Sequence, residues 1–160
     1  MAYILTLTTT EAVRAAIGIA EDSGELDDEV FIDLSIEEML SVWVYSWLTV
    51  TIASVKSGND SASEENDSRV IAWKALTSAA TYYCAYLIVL SAPISFAERN
   101  EDSNNKMKRP SYDPDKLAQQ FLNQANFFKG VCSEKVAQVA VAVPAFIGIS
   151  SPSYDPVTNS

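Results

Sequence analysis

Cys84 and Cys132 are the only thiols in the chain, and there is no histidine to activate them. Without imidazole, Ser-His-Asp and Cys-His pairs, histidine acid–base chemistry and most catalytic zinc sites are excluded. The two cysteines form no CxxC, lie far apart and sit among apolar residues. They are expected to be buried free thiols of a reducing cytosol, not a disulfide framework. The other chemically capable groups are carboxylates. Glu21, Asp22, Glu25, Asp27, Asp28 and Glu29 crowd into one stretch that could hold Ca²⁺. They lack the D-x-[DN]-x-[DN]-G order and distal Glu of an EF-hand, and a solvated acidic face accounts for them better. Glu37 with Glu38, and Asp113 with Asp115, could act as acid–base pairs, but helix capping explains Glu38 and Asp115. Lys106, Lys108 and Arg109 are interleaved with acids and read as an exposed loop rather than a nucleic-acid grip. No Gly-rich phosphate loop, Walker sequence or GxGxxG is present. No catalytic residue, cofactor or metal ligand is therefore assigned, and no enzymatic activity is expected.

Aromatic residues are the remaining candidates. Trp43, Tyr45, Trp47, Trp73, Tyr82, Tyr83 and Tyr86 could line a ligand pocket. Core or subunit-interface packing is the commoner use of such stripes, and Trp43, Trp47, Trp73, Tyr82 and Tyr86 are assigned to it.

These residues must be positioned by a fold that 160 residues can build. At 48% apolar and 20% charged, the chain can form one domain with a sizeable core, which excludes disorder throughout. The net charge of −10 is uneven. Residues 1–67 carry 14 acids and two bases, whereas residues 68–160 carry seven acids and nine bases. Such a first half argues against a basic footprint on DNA. The N-terminal stretch has neither the basic region nor the long apolar region of a secretory signal.

Hydrophobic periodicity and caps predict an all-α fold, a small helical bundle of one short and three longer helices. Thr8 and Glu11 have capping-box spacing ahead of a short helix, and Gly18 suits its left-handed C-terminus. Leu26, Val30 and Phe31 are spaced for one apolar helical face. Ser35 and Glu38 form a second box ahead of a long helix over about 35–56, although Thr49 to Val55 would also suit a strand. Its apolar residues fall on nearly every side, so burial on most sides is expected. Residues 57–68 read as a polar loop. A second long helix runs from Arg69 to Ser91, with Val70, Trp73, Thr77, Ala80, Thr81, Cys84, Leu87 and Ile88 on one face. A polar connector over 98–115 precedes a third, from Asp115 to about Glu134, with a stripe of Leu117, Phe121, Gln124, Phe128 and Val131, and Asp113 or Asp115 could cap its start. The bundle then occupies residues 1–135 and an extended docking tail residues 136–160. Val139, Val141 and Val143 alternate with alanines and suggest a short β segment, which Pro144 confines to an edge or end. Val139, Val141, Val143, Phe146, Ile149 and Tyr154 are the candidate partner-binding residues. Pro-Ser-Tyr-Asp-Pro occurs at 110–114 and again at 152–156; it could be a repeated docking element, but a repeated rigid turn accounts for it better.

Two uncharged runs, Met39–Val55 and Ala75–Ala97, raise the alternative of a two-span membrane protein of holin type. Their many Ser, Thr and Tyr residues, Pro93, and a loop without positive excess weigh against it.

The order Thr10-Glu11-Ala12-Val13-Arg14-Ala15-Ala16-Ile17-Gly18-Ile19, followed by Gly24-Glu25-Leu26-Asp27-Asp28-Glu29-Val30, resembles the opening of tailed-bacteriophage head–tail connector proteins, also called adaptor or head-completion proteins. The layout of helices, charged connector and tail is similar too, including Leu90 to Ala97 at the helix-to-connector transition. The resemblance covers residues 10–30 by motif and most of the chain by layout. It implies a homo-oligomeric ring, usually of twelve copies, beneath the portal at the virion neck. The ring extends the DNA channel without sequence-specific binding and docks the next tail component or a tail-completion protein. Assembly would take place in the host bacterial cytoplasm, with no membrane and no enzymatic activity. Glu25, Asp27, Asp28 and Glu29 are then candidates for an acidic channel face that repels DNA. A tail-completion protein or another oligomeric binding module is a further alternative.

Overall fold

The computed structural model describes residues 2–3, 7–18, 34–91 and 113–141. Glu25, Asp27, Asp28, Glu29, Val143, Phe146, Ile149 and Tyr154, and the 98–112 connector, lie outside the described residues. Two short strands, β1 (Ala2–Tyr3) and β2 (Thr8–Thr9), form an antiparallel pair with Ala2 opposite Thr9. Five helices follow among the described residues: α1 (Thr10–Ile17), α2 (Leu34–Trp47), α3 (Ile52–Asp60), α4 (Ser68–Ser91) and α5 (Pro114–Val141). The fold is an all-α bundle, as the periodicity predicts.

α1 is fixed by local chemistry at both ends. The cap is Thr9, not Thr8: its hydroxyl accepts from the Ala12 N–H at 3.2 Å. Thr8 is instead buried, and its hydroxyl meets that of Thr81 in α4 at 2.7 Å. At the other end Gly18 sits at φ 82°, donating to the Arg14 carbonyl at 2.9 Å. Val13 and Ile17 face the core between these caps.

The long helix expected over 35–56 is two helices. The axis turns by 79° between α2 and α3. Thr51 leaves helical geometry at φ −75°, ψ 146°, and its hydroxyl accepts from the Ser54 N–H at 3.2 Å. Ser54 in turn donates to the Thr51 carbonyl at 2.8 Å. β-branched Thr49, Val50 and Thr51 gain little from staying helical, and the Thr51 cap supplies the alternative. α2 also begins at Leu34, one residue before the expected Ser35 cap. α3 then continues through Asp60, so the first part of the expected 57–68 loop is helical. The turn after it ends on Asp67, whose carboxylate accepts from the Arg69 N–H at 2.8 Å. The Arg69 guanidinium clasps the same carboxylate at 2.6 Å and reaches back to the Ser61 hydroxyl at 3.2 Å, tying the end of α3 to the start of α4.

α4 is the helix buried on most sides, the role expected of 35–56. Ala72, Ala75, Leu76, Ala79, Ala80, Cys84, Ala85, Ile88 and Val89 are all buried, and they encircle the helix rather than forming a stripe. β2, α1, α2, α3 and α5 all pack on it. The alanines permit this, because without longer side chains the neighbouring backbones can come close.

α5 lies antiparallel along α4. Ser68 at the start of α4 bonds Gln138 near the end of α5 at 3.2 Å, and Tyr82 packs between Phe121 and Phe128. Asp113 caps α5, accepting from Asp115 N–H at 3.2 Å. Its buried stripe contains Leu117, Ala118, Phe121, Ala125 and Cys132; Gln124, expected there, is exposed. α5 also runs seven residues past Glu134, so Val139 and Val141 are helical and the tail cannot begin at 136. Gln138 bonds Glu134 at 3.0 Å and Lys135 at 3.1 Å. These one-turn pairs support helix where alternating valines favour strand only weakly.

Because α4 is hemmed in on all sides, Ala80→Leu should destabilise the fold by about 1–3 kcal/mol through overpacking. A thermal melt reads this directly. Gly18→Ala meets no atom within 4 Å and should lose only the cost of the left-handed backbone, about 1 kcal/mol.

Candidate functional site: an apolar face on the second helix

α2 presents opposite faces to core and solvent. Ile36, Leu40 and Val44 are fully buried against the bundle. Trp43 and Trp47 flank them, half-buried. The Trp43 ring stacks on Tyr83 of α4, with centroids 4.2 Å apart and planes 5° from parallel. Trp47 meets Trp43 edge-on at 5.5 Å, and Lys129 of α5 places its ammonium 5.9 Å from the Trp47 ring centre. Tyr86 extends the group, 5.7 Å from Tyr83. Burial pushes the Tyr83 phenol above its usual range, with Tyr86 and Cys84 adding to the effect. The indole N–H of Trp47 is buried without an acceptor among the described residues, a cost of about 1–3 kcal/mol that the ring contacts must offset.

This wall orients the other side of α2 outward. Met39 is 42% exposed, Val42 71% and Tyr45 55%. With Glu38 and Ser46 they make a continuous solvent face, because residues three and four apart share one side of a helix. Phe127 on α5 and Leu90 near the end of α4 are exposed elsewhere. Three large apolar side chains grouped on one helix, not scattered singly, make this side of α2 the candidate contact surface.

The aromatic residues singled out in the sequence divide into two groups. Trp43, Trp47 and Tyr86 meet around Tyr83 on the α2 side of α4. Tyr82 faces α5, stacked 5.7 Å from Phe128 and 3° from parallel with it. Trp73 packs half-buried against the core. Among the described residues, two open grooves of about 530 and 460 Å³ lie beside Tyr82. The first is bounded by Ala12, Ala15 and Ala16 of α1 and Thr77 and Ser78 of α4; among the described residues, no carboxylate, amine or thiol lines either groove. The exposed trio Met39, Val42 and Tyr45 could not be picked out from sequence. Apolar residues on every side of α2 hide which side the bundle leaves uncovered.

Among the described residues, no group of three His, Cys, Asp or Glu is placed to hold a metal. Glu37 and Glu38 are exposed at the start of α2, while Asp113 and Asp115 lie at the start of α5, where Asp113 caps. No single described helix is long and apolar enough to cross a membrane. Arg69 holds the Asp67 carboxyl below the usual carboxylate range, first through its side-chain hydrogen bonds and then through its backbone N–H.

Both cysteines are free and buried. Burial pushes the thiols of Cys84 and Cys132 up to about 12 and about 11 respectively. A raised folded pKa stabilises the fold fully below the unfolded thiol range and loses that contribution as pH climbs towards the folded values. Stability should therefore fall from about pH 9 upwards. Iodoacetamide at pH 8 should leave both thiols unmodified until denaturant is added, as mass spectrometry can read.

No family model, curated protein or solved structure matches the chain.

Proposed function

We propose that the chain is a structural subunit of a head-to-tail adaptor, a homo-oligomeric ring seated on a phage portal at the virion neck. The outward apolar face of α2 is the observation that carries this reading. Met39, Val42 and Tyr45 stay in water in a lone subunit, and a neighbour in an assembly would cover them. The all-helical bundle and the motif resemblance over residues 10–30 support the same assignment. The resemblance further suggests twelve copies, a DNA channel without base-specific contacts, and a lower surface for the next tail component. Assembly in the host cytoplasm and no enzymatic role belong to the same reading.

Negative-stain microscopy of the full chain mixed with a purified portal tests it. The expected result is an added ring of density on one portal face. Tyr45→Asp should weaken ring formation about 30-fold, the loss of about 2 kcal/mol typical of an anchoring tyrosine. Bare portals at saturating subunit concentration would rule the adaptor out.

One observation favours the holin-type reading. Ile36–Trp47 and Ile52–Asp60 together are long and apolar enough to enter a membrane as a bent pair, although the 79° bend interrupts the span. Fractionation after lysis separates the two. An adaptor remains in the supernatant without detergent, whereas a holin-type protein pellets with membranes.

A further inference from the structure

The outward face of α2 has nearly the same pattern in both chain directions. Glu38 and Met39 lie one turn before Val42, and Tyr45 and Ser46 one turn after it. All five are exposed. An antiparallel second copy centred on Val42 sets valine against valine and Met39 against Tyr45. A thioether on an aromatic ring is a favourable contact, so the apolar part of the face complements itself.

Charge selects the direction. A parallel copy would bring each Glu38 carboxylate beside its counterpart. The antiparallel copy separates the two Glu38 residues by about 12 Å along the axis at 1.5 Å per residue, beyond the screening length of ~8 Å. The Ser46 hydroxyl already donates to its own Trp43 carbonyl at 2.6 Å. The partner's donor for Glu38 is therefore the Tyr45 phenol, whose ring lies one residue away in this register. α2 contains no basic residue, so an acidic peptide or nucleic acid finds no counter-charge there. The helix itself, reversed, supplies apolar cover and a hydroxyl donor without setting an acid against an acid.

We infer that the free subunit forms a two-fold dimer through antiparallel α2 helices, which covers this face until a portal is met. The inference rests on the reading of the α2 face as a contact surface. A two-fold contact uses the same patch twice and stops at two, whereas a ring needs a head-to-tail contact. The pair therefore holds subunits in reserve without starting rings.

Sedimentation of the full chain without portal tests this. The 17.5 kDa subunit should pass to twice that mass, with a midpoint on the order of 10 µM for so small an interface. Val42→Asp should raise the midpoint at least ~10-fold, while circular dichroism and melting read well below the midpoint, where both chains are monomers, stay unchanged because the side chain is exposed. Val42→Cys should cross-link into a covalent pair on oxidation, and Glu37→Cys, on another side of α2, should not. A monomer at every concentration, a series of species beyond two, or self-association indifferent to Val42→Asp would overturn the inference. Cross-linking from Glu37→Cys as fast as from Val42→Cys would overturn the register. Portal rings without a free dimer would remove this inference alone; a free dimer without portal rings would remove the adaptor reading alone.

Discussion

The burial of α4 on all sides is the constraint on which the rest of the structure depends. A helix with its buried side chains spread right round it must be enclosed, since its exposed apolar area would otherwise be solvated at a cost of about 25 cal/mol per Å². Each other element supplies one side of the enclosure. α5 covers the longest side, β2 meets it at Thr81, α1 packs beside β2, and α2 and α3 close the remainder. The 79° turn at Thr51 follows from this arrangement, because α2 and α3 pack on α4 in different directions. An unbroken helix could not lie against α4 along both courses. α2 in turn reaches the bundle with only one face, and its outward apolar residues are what remains.

Local chemistry was legible in the sequence where one residue decides the outcome. Gly18 ends α1 because few other residues adopt φ 82° at low cost, and Asp113 caps α5 because its side chain can reach back to two N–H groups. The thiols of Cys84 and Cys132 are buried as their apolar neighbours indicate. The break at Thr51 was visible only as competing β-branched content, since a capping threonine and a helical threonine look alike in one dimension. Alternating valines at 139 and 141 pointed to strand, yet the Glu134–Gln138–Lys135 bonds lie on the helical path and outweigh that preference.

The central role of α4 was harder to read. Alanine carries little hydrophobic contrast, so Ala72, Ala75, Ala79, Ala80 and Ala85 leave no strong stripe for a periodicity test to find. The candidate surface was obscured for the opposite reason. α2 is apolar on every side, and which side stays in water depends on where α4 lies. The stack of Trp43 on Tyr83 joins residues 40 positions apart and sets that orientation. Such a pairing is a property of the assembled bundle, not of either segment.

The position of α4 along the chain has a further consequence for synthesis on the ribosome. α1, α2 and α3 all emerge before the helix they pack against, and α5 emerges after it. During translation at about 5–20 residues per second, the early segments pass several seconds with their apolar faces unmatched, the circumstance in which nascent chains aggregate. The same first 67 residues carry 14 of the 21 acidic side chains and only two basic ones. A segment of such high net negative charge repels its own copies, and that repulsion acts before residues 68–91 arrive. The uneven charge of the finished protein thus falls on the segment that is made first.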